Sequence, residues 1–357
     1  MKVSDIASTN TLIATLTEAA SNKIPYAGLA FFPADKKEGI DISQIRTAKG
    51  LPVTLNPSAP DTVSAIRSRK GFKLDKTQMA FFKESMLVKE EDRYELARIS
   101  DVADPYLKDV YKNIYNDFET LYESADVVPE RMRMQLLSSD GGHPSIYLAG
   151  DGATYAYNYD PNNEYSASNY EALSGNNLWT AHSTANPIAD IKRWKKATRK
   201  SCGEDPAYIL MDDATFNEAA QCTKIADYVK AAVNEVNVVI DDDIVKRVIE
   251  ANTKMTLIVY DKQFIDESGD AAYFYPEGFV ALLPAGAVGK TWYGVTAEEL
   301  AKREGENIDV AVVDNKVAVS VIHSLDPVQD KTVVSEVLLP SFEKMMYTYT
   351  AKVYTPS

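Results

Sequence analysis

Gly289, Lys290 and Thr291 follow the apolar run FVALLP and carry the ending of a phosphate-cradling loop, in which backbone N–H groups and a lysine hold nucleotide phosphates. The beginning of that motif is missing. Pro284 stands where an earlier glycine is required, and Trp292, Tyr293 and Gly294 follow where an apolar helix would aim its N-terminus at phosphate. The run MTLIVYD could pose as the acidic metal-binding strand of such a site, but it lies upstream of the loop, against the usual order. His143, His182 and His323 are far apart, and none stands near a Cys or Glu at helical metal-ligand spacing, so each reads as a turn or surface residue. No Gly-x-Ser-x-Gly elbow is present. Cys202, before Gly203, has neither the flanking glycine nor the nearby base of a nucleophile. Asp212-Asp213 and Asp241-Asp242-Asp243 could hold a divalent cation or, as solvated carboxylates, cap helices. The basic run KRWKKATRK at 192–200 could touch phosphates or form a cationic helix face near a C-terminus. These residues predict no catalytic, cofactor-binding or metal-binding site.

The bulk composition points the same way. With 21 Tyr and 11 Phe against 3 His and 2 Cys, the chain is rich in contact-making aromatics and poor in common catalytic and metal-binding side chains. A formal charge of -14, from 52 acidic and 38 basic side chains, disfavours capture of nucleic acid or an anionic membrane as the main task. Two cysteines are too few for a disulfide framework, which fits a reducing cytoplasm. Residues 1–25 have neither a long apolar run nor a basic-then-apolar order, so the whole chain is expected to be the mature, cytosolic product. At 357 residues, 45% of them hydrophobic, one large core or two to three modest ones can form.

The elements that would position these residues alternate irregularly between helix and strand, which predicts a mixed α+β class. Residues 1–20 read as a short helix at best, and 26–87 as an irregular arm and hairpin punctuated by glycine and proline. From Asp104 the three-four spacing of Leu107, Val110, Tyr111, Ile114, Phe118, Leu121, Tyr122 and Ala125 predicts one helix over about 104–137, bent at Pro129 and on the order of 50 Å long at 1.5 Å per residue. A hairpin is expected at SIYLAGDGATYAYNYD, then a polar loop to Asn177, a helix opened by Pro187, a buried strand at AYILM and a helix capped by Asp212. Further strands are expected at VNVVI, MTLIVYD, AAYFY, FVALLP and KVAVSVIHS, with a polar helix at 296–304. The C-terminal VVSEVLLP and KMMYTYTAKVY read as antiparallel strands.

Several segments in order resemble the major capsid protein E family of lambda-type tailed bacteriophages. They are SRKGFKLDKTQMAFFKE at 68–84, DPYLKDVYKNIYNDFETLYESADVVPERMRMQLL, NPIADIKRW, YFYPEGFVALLPAGAVGKTWYGVTAEE at 273–299 and SLDPVQDKTVVSEVLLPSF at 324–342. Most of the chain from about residue 26 takes part, and the C-terminal third carries most of the likeness.

The resemblance implies the tailed-phage capsid fold of the Hong Kong ninety-seven type. Residues 1–25 would form an N-terminal arm, 26–90 an extended loop region lying across a neighbouring subunit, and 91–200 a peripheral domain with a long spine helix. Residues 201–314 would form an axial domain, and 315–357 C-terminal strands returning to the peripheral domain. An extended loop without its own core must bury its aromatics elsewhere, so Phe31, Phe32, Phe72, Phe81 and Phe82 are expected inter-subunit contacts. The implied mechanism is self-assembly through pentamers and hexamers into an icosahedral head that encloses double-stranded DNA. Scaffold, portal and decoration proteins are the implied partners, with no membrane, no enzyme activity and no cofactor. The virion capsid would be assembled in the host bacterial cytoplasm, and its acidic wall would let packaged DNA slide. Some relatives of the fold form a covalent Lys-to-Asn bond, but nothing in this sequence identifies such a pair. Two other readings stay open: an encapsulin-like nanocompartment shell, and a phosphate-loop enzyme resting on Gly289-Lys290-Thr291 alone.

Overall fold

The computed structural model describes residues 25–45, 74–88, 105–150, 153–233, 241–326 and 328–356. A short helix α1 (Gly28–Phe31) leads into strands β1 (Ala34–Lys36) and β2 (Asp41–Ile45), and β3 (Leu74–Gln78) precedes the longer β4 (Ala80–Val88). Helix α2 (Pro105–Ser138) follows, then the hairpin β5 (Ser145–Gly150) and β6 (Ala153–Asn158), helix α3 (Glu164–Ser168) and strand β7 (Tyr170–Ala172). Next come helix α4 (Pro187–Cys202), strand β8 (Tyr208–Met211), and helices α5 (Asp213–Ala220), α6 (Thr223–Val233) and α7 (Asp242–Thr253). The short strands β9 (Thr256–Val259), β10 (Gln263–Ile265) and β11 (Ala271–Tyr273) lead to β12 (Phe279–Leu283), β13 (Lys290–Tyr293) and helix α8 (Ala297–Arg303). Strands β14 (Asp309–Val313), β15 (Val317–Leu325), β16 (Val328–Ser341) and β17 (Tyr349–Lys352) complete the described chain.

Helix boundaries follow local chemistry. Asn186 accepts a hydrogen bond from the Ala189 N–H and Pro187 occupies the first turn of α4, which ends at Gly203 with φ 87. Asp212, Asp241 and Thr296 cap α5, α7 and α8 in the same manner. Helix α2 continues through Pro129 for 34 residues, about 51 Å at 1.5 Å per residue.

Two sheets organise the molecule. In the larger, six-stranded sheet, β16 is flanked on one side by β4 and on the other by β15 and β13, with β14 and β1 at the outer edges. The second sheet has the order β7-β17-β12-β8-β9, with β7 and β9 parallel to their neighbours. The continuous apolar run of β12 has a simple cause: both faces of this sheet are covered. Val280 and Leu282 join Ile209 and Met211 beneath α4, α6 and α7, while Ala281 and Leu283 join Leu210 in the main core.

The main core also collects Met132, Met134, Leu136 and Leu137 from the C-terminal half of α2, together with Phe31, Phe32, Tyr293 and Leu338. A third, smaller cluster seats Leu121 and Ala125 of α2 on Val319, Val321 and Val334 of the large sheet. Under α4, the rings of Trp179, Trp194 and Tyr349 stack in series with centroids 6.1 and 6.2 Å apart.

The sequence readings that differ from this fold do so locally. The expected polar loop before Asn177 contains α3 and β7, because β7 adds as a parallel edge to β17 through Tyr170–Thr350 pairing. In KMMYTYTAKVY only Tyr349–Lys352 is strand, and Tyr347 belongs to a single turn of tighter helix. The expected strand VNVVI and the cap Asp104 lie outside the described residues.

Candidate assembly surface

The residues with the most chemical promise are committed to structure. Lys290 and Thr291 open strand β13, not a helix, so no helix N-terminus faces the turn before them. A Cβ on Gly289 would stand 1.8 Å from the Ser341 carbonyl oxygen, which makes this glycine a close-packing residue. The Thr291 hydroxyl donates to the Phe32 carbonyl at 3.1 Å and accepts from Arg133 Nε at 2.9 Å. Lys290 Nζ reaches the Asp35 carboxylate at 2.7 Å, and that bond holds the Asp35 carboxyl below its usual range and raises the lysine. The Lys290 ammonium, the Thr291 hydroxyl and the N–H groups of Val288, Gly289 and Lys290 are thus all engaged within the chain.

The three histidines each meet one carboxylate: His143 with Asp160 at 3.3 Å, His182 with Glu218 at 2.7 Å and His323 with Asp330 at 2.5 Å. Among the described residues no group of three or more His, Cys, Asp or Glu could hold a metal ion. Asp212 accepts from the Ala214 and Thr215 N–H groups, and Asp241 from Asp242 N–H, so these acidic runs act as caps. On α4, Arg193 pairs with Glu171 and Asp190, and Arg199 with Asp205, which turns much of the basic run into intramolecular ion pairs. Cys202 and Cys222 are free and buried, and burial pushes the Cys222 thiol up to about 12.

The feature that remains is a surface. Alternation along the large sheet sends Phe82, Glu84 and Met86 of β4 to the face covered by α2, and Phe81, Lys83, Ser85 and Leu87 to the other. On that second face Leu87 and Ile322 flank Lys331 across three strands, while Leu325, 88% exposed, stands at the turn joining β15 to β16 and by alternation belongs to the opposite face. Phe81 is 48% exposed at the other end of the row. Between them, Glu298 of α8 takes Lys83 and accepts from the Ser335 hydroxyl, so helix α8 shields the middle of the face and leaves its apolar ends open.

Strand β4 is also an edge. Among the described residues it pairs only with β16. The β5–β6 hairpin meets its outer side at Phe81, whose N–H donates to the Tyr155 hydroxyl at 3.1 Å, and meets the end of β3 where the Tyr157 hydroxyl donates to the Gln78 carbonyl at 3.0 Å. Strand β4 thus presents two exposed apolar side chains, Phe81 and Leu87, on a strand whose outer side pairs with no other strand among the described residues.

The aromatic contact candidates fall into different places. Phe31 and Phe32 are 4% and 0% exposed in the main core of the chain itself, with Phe32 packed on Phe342 at a centroid distance of 5.6 Å. Phe82 is half-buried against Tyr155, Phe81 is open, and Phe72 lies outside the described residues. Leu87, Ile322 and Leu325 were not singled out by sequence, because an apolar residue in an alternating strand looks the same whether its face is covered or bare.

A two-sheet body with an overlong helix, an apolar edge and its promising polar residues tied up internally defines a structural subunit that builds larger assemblies. Comparison with known proteins gives the class. The model of the phage major capsid protein E family matches residues 8–315, and the chain belongs to that family. It is a major capsid protein, a structural component of the virion capsid that self-associates. The matched span starts upstream of residue 26 and stops before the segment 324–342.

Two solved structures share the fold across nearly their full lengths. A phage-related protein from Bordetella bronchiseptica RB50 is 12% identical, with 98% of this chain and 99% of that one covered at a TM-score of 0.56. A putative capsid protein of a prophage from E. coli CFT073 is 15% identical, with 97% and 99% covered at 0.58. At these identities the likeness is one of fold, the tailed-phage capsid fold. No curated protein matches by sequence.

Proposed function

We propose that this capsid protein closes through pentamers and hexamers into an icosahedral head that encloses double-stranded DNA. The observation that carries the reading is the apolar rim of the large sheet, where Leu87, Ile322 and Leu325 at one end and Phe81 at the other are exposed beside β4, a strand that pairs on one side only among the described residues. Exposed apolar area next to unpaired backbone is costly in a chain that stays alone and favourable in one that meets copies of itself. A contact between this face and a different patch on the next subunit is heterologous, and heterologous contacts form rings where the rotation from one subunit to the next closes.

On this reading Phe81 is the inter-subunit anchor among the aromatics, and the segment around β2–β4 is the part that reaches the neighbour. Scaffold, portal and decoration proteins would be further partners, assembly would take place in the host bacterial cytoplasm, and the chain would have no enzyme activity. The net charge of -14 supports an interior against which DNA slides instead of adsorbing.

The test is particle size of the purified full chain by light scattering and negative-stain electron microscopy across protein and salt concentration. Uniform shells, tubes or five- and six-membered rings are expected. A monomer at every concentration, unchanged by added phage scaffold, would overturn the reading. Shells that copurify with a cargo enzyme would replace the DNA-filled head with a nanocompartment.

A further inference from the structure

Strand β16 carries one acid in an unusual position. Glu336 is 2% exposed, and neither of its carboxyl oxygens has a hydrogen-bond partner among the described residues. By alternation with Val334, which packs on Leu121 and Ala125, its side chain faces helix α2.

The other buried acids among the described residues are answered. Glu130 accepts from Gly28 N–H at 2.8 Å, from the Tyr260 hydroxyl at 3.0 Å and from Arg133 at 3.2 Å. Asp160 accepts from the N–H groups of Glu164, Tyr165 and Ser166, and Asp212 caps α5. Glu336 has no such answer. Leaving a charged carboxylate in this state costs several kcal/mol, whereas a protonated carboxyl is tolerated far better.

The charged and titratable groups around it come from three elements. Helix α2 contributes Asp126 and Arg133, the turn between β14 and β15 contributes Lys316, and β13 contributes Tyr293. On β4 the paired residue is Phe82, which offers no charge. Arg133 is already spent on Thr291 and Glu130. Burial first, and the like charge of Asp126 second, push the Glu336 carboxyl well above its ordinary range, against the smaller opposing pulls of Arg133 and Lys316.

We propose that Glu336 is a proton-binding site at the junction of helix α2 with the large sheet, and that helix and sheet pack tightly only while it holds its proton. The proton occupies one carboxyl oxygen and leaves as hydronium or to buffer, so no co-reactant is needed. The sign follows from linkage. A carboxyl that binds its proton more tightly in the folded chain than in the unfolded one adds stability that is fully present below about pH 4.3, the unfolded value. That contribution disappears as pH rises through the elevated folded value. The inference concerns a single chain and does not rest on how subunits assemble.

The test is the urea midpoint of the full chain from pH 4 to 8, compared with Glu336→Gln, which keeps the shape without the charge, and Glu336→Met, which removes the polar atoms. Both variants are expected to match the parent at the acid end. They should unfold at progressively higher urea than the parent as pH rises, and the protection of the α2 amides facing β16, taken relative to the intrinsic exchange rate at each pH, should fall with pH in the parent and hold steady in the variants. A constant offset across the pH range would overturn the proposal. So would two variants that are unfolded, or less stable than the parent at neutral pH, since the carboxylate would then have a partner.

Discussion

Two neighbouring residues divide the phosphate-loop look-alike into a structural part and a dispensable one. Gly289 admits no Cβ against Ser341, so Gly289→Ala should cost about 3 kcal/mol or more, read as a lowered unfolding midpoint. Lys290→Ala removes a surface ion pair and should leave that midpoint nearly unchanged, and neither chain should retain a nucleotide on a desalting column. The two thiols make a second expectation at this scale. Cys202 and Cys222 should resist alkylation in the native chain at neutral pH and react fully in denaturant, because both are buried and burial raises both thiols. At this scale the residue types conveyed the broken motif, whose Lys290 and Thr291 open a strand where a phosphate loop would open a helix. What they could not convey was Glu336, since SEVLLP gives no hint that its acid turns inward.

Among the elements, α2 was the most legible. Its three-four spacing and Pro105 placed it within a residue of its observed ends, and the hairpin at 145–158 followed from strand alternation around a glycine turn. Short elements were legible only where they carried caps or continuous apolar runs. Helix α3 and strand β7 were missed because tertiary contacts create them: Tyr165 is fully buried and its hydroxyl meets Thr350 at 2.9 Å, a partner 185 residues away. The tie between β4 and the β5–β6 hairpin is testable at this scale. Replacing Tyr155 and Tyr157 together by Phe keeps the stacked rings and removes the hydroxyl bonds to Phe81 and Gln78. At about 0.5–1.5 kcal/mol per hydrogen bond, exchange of the Phe81 amide should quicken roughly two- to tenfold, while the global unfolding midpoint moves little.

At the scale of the whole molecule, Leu325 separates folding from assembly. It touches no core, so Leu325→Asp should melt with the parent chain. Its charge would sit in the proposed contact, so sedimentation should show subunits where the parent forms shells. The fold class followed from the irregular mixture of elements and from family-like segments read in order. The assembly surface did not follow, because exposure is decided by which faces α8 and α2 cover, through contacts such as Glu298 to Lys83, 215 residues apart.

The places of β16 and β17 also dictate when a chain can become itself. Strand β16 joins β4, β13 and β15 in the large sheet, and β17 joins the edge strand β7 to β12 in the second, so β1 through β15 leave the large sheet in separate pieces and the second without its β7 edge. A nascent chain that has not yet made β16 therefore lacks the strand that joins β4, β13 and β15. Synthesis at about 5–20 residues per second supplies β16 and β17 within a few seconds of each other, so the two sheets gain their last strands almost together. A ribosome-stalled chain ending after residue 327 should accordingly be cleaved readily by a protease and ignored by growing shells.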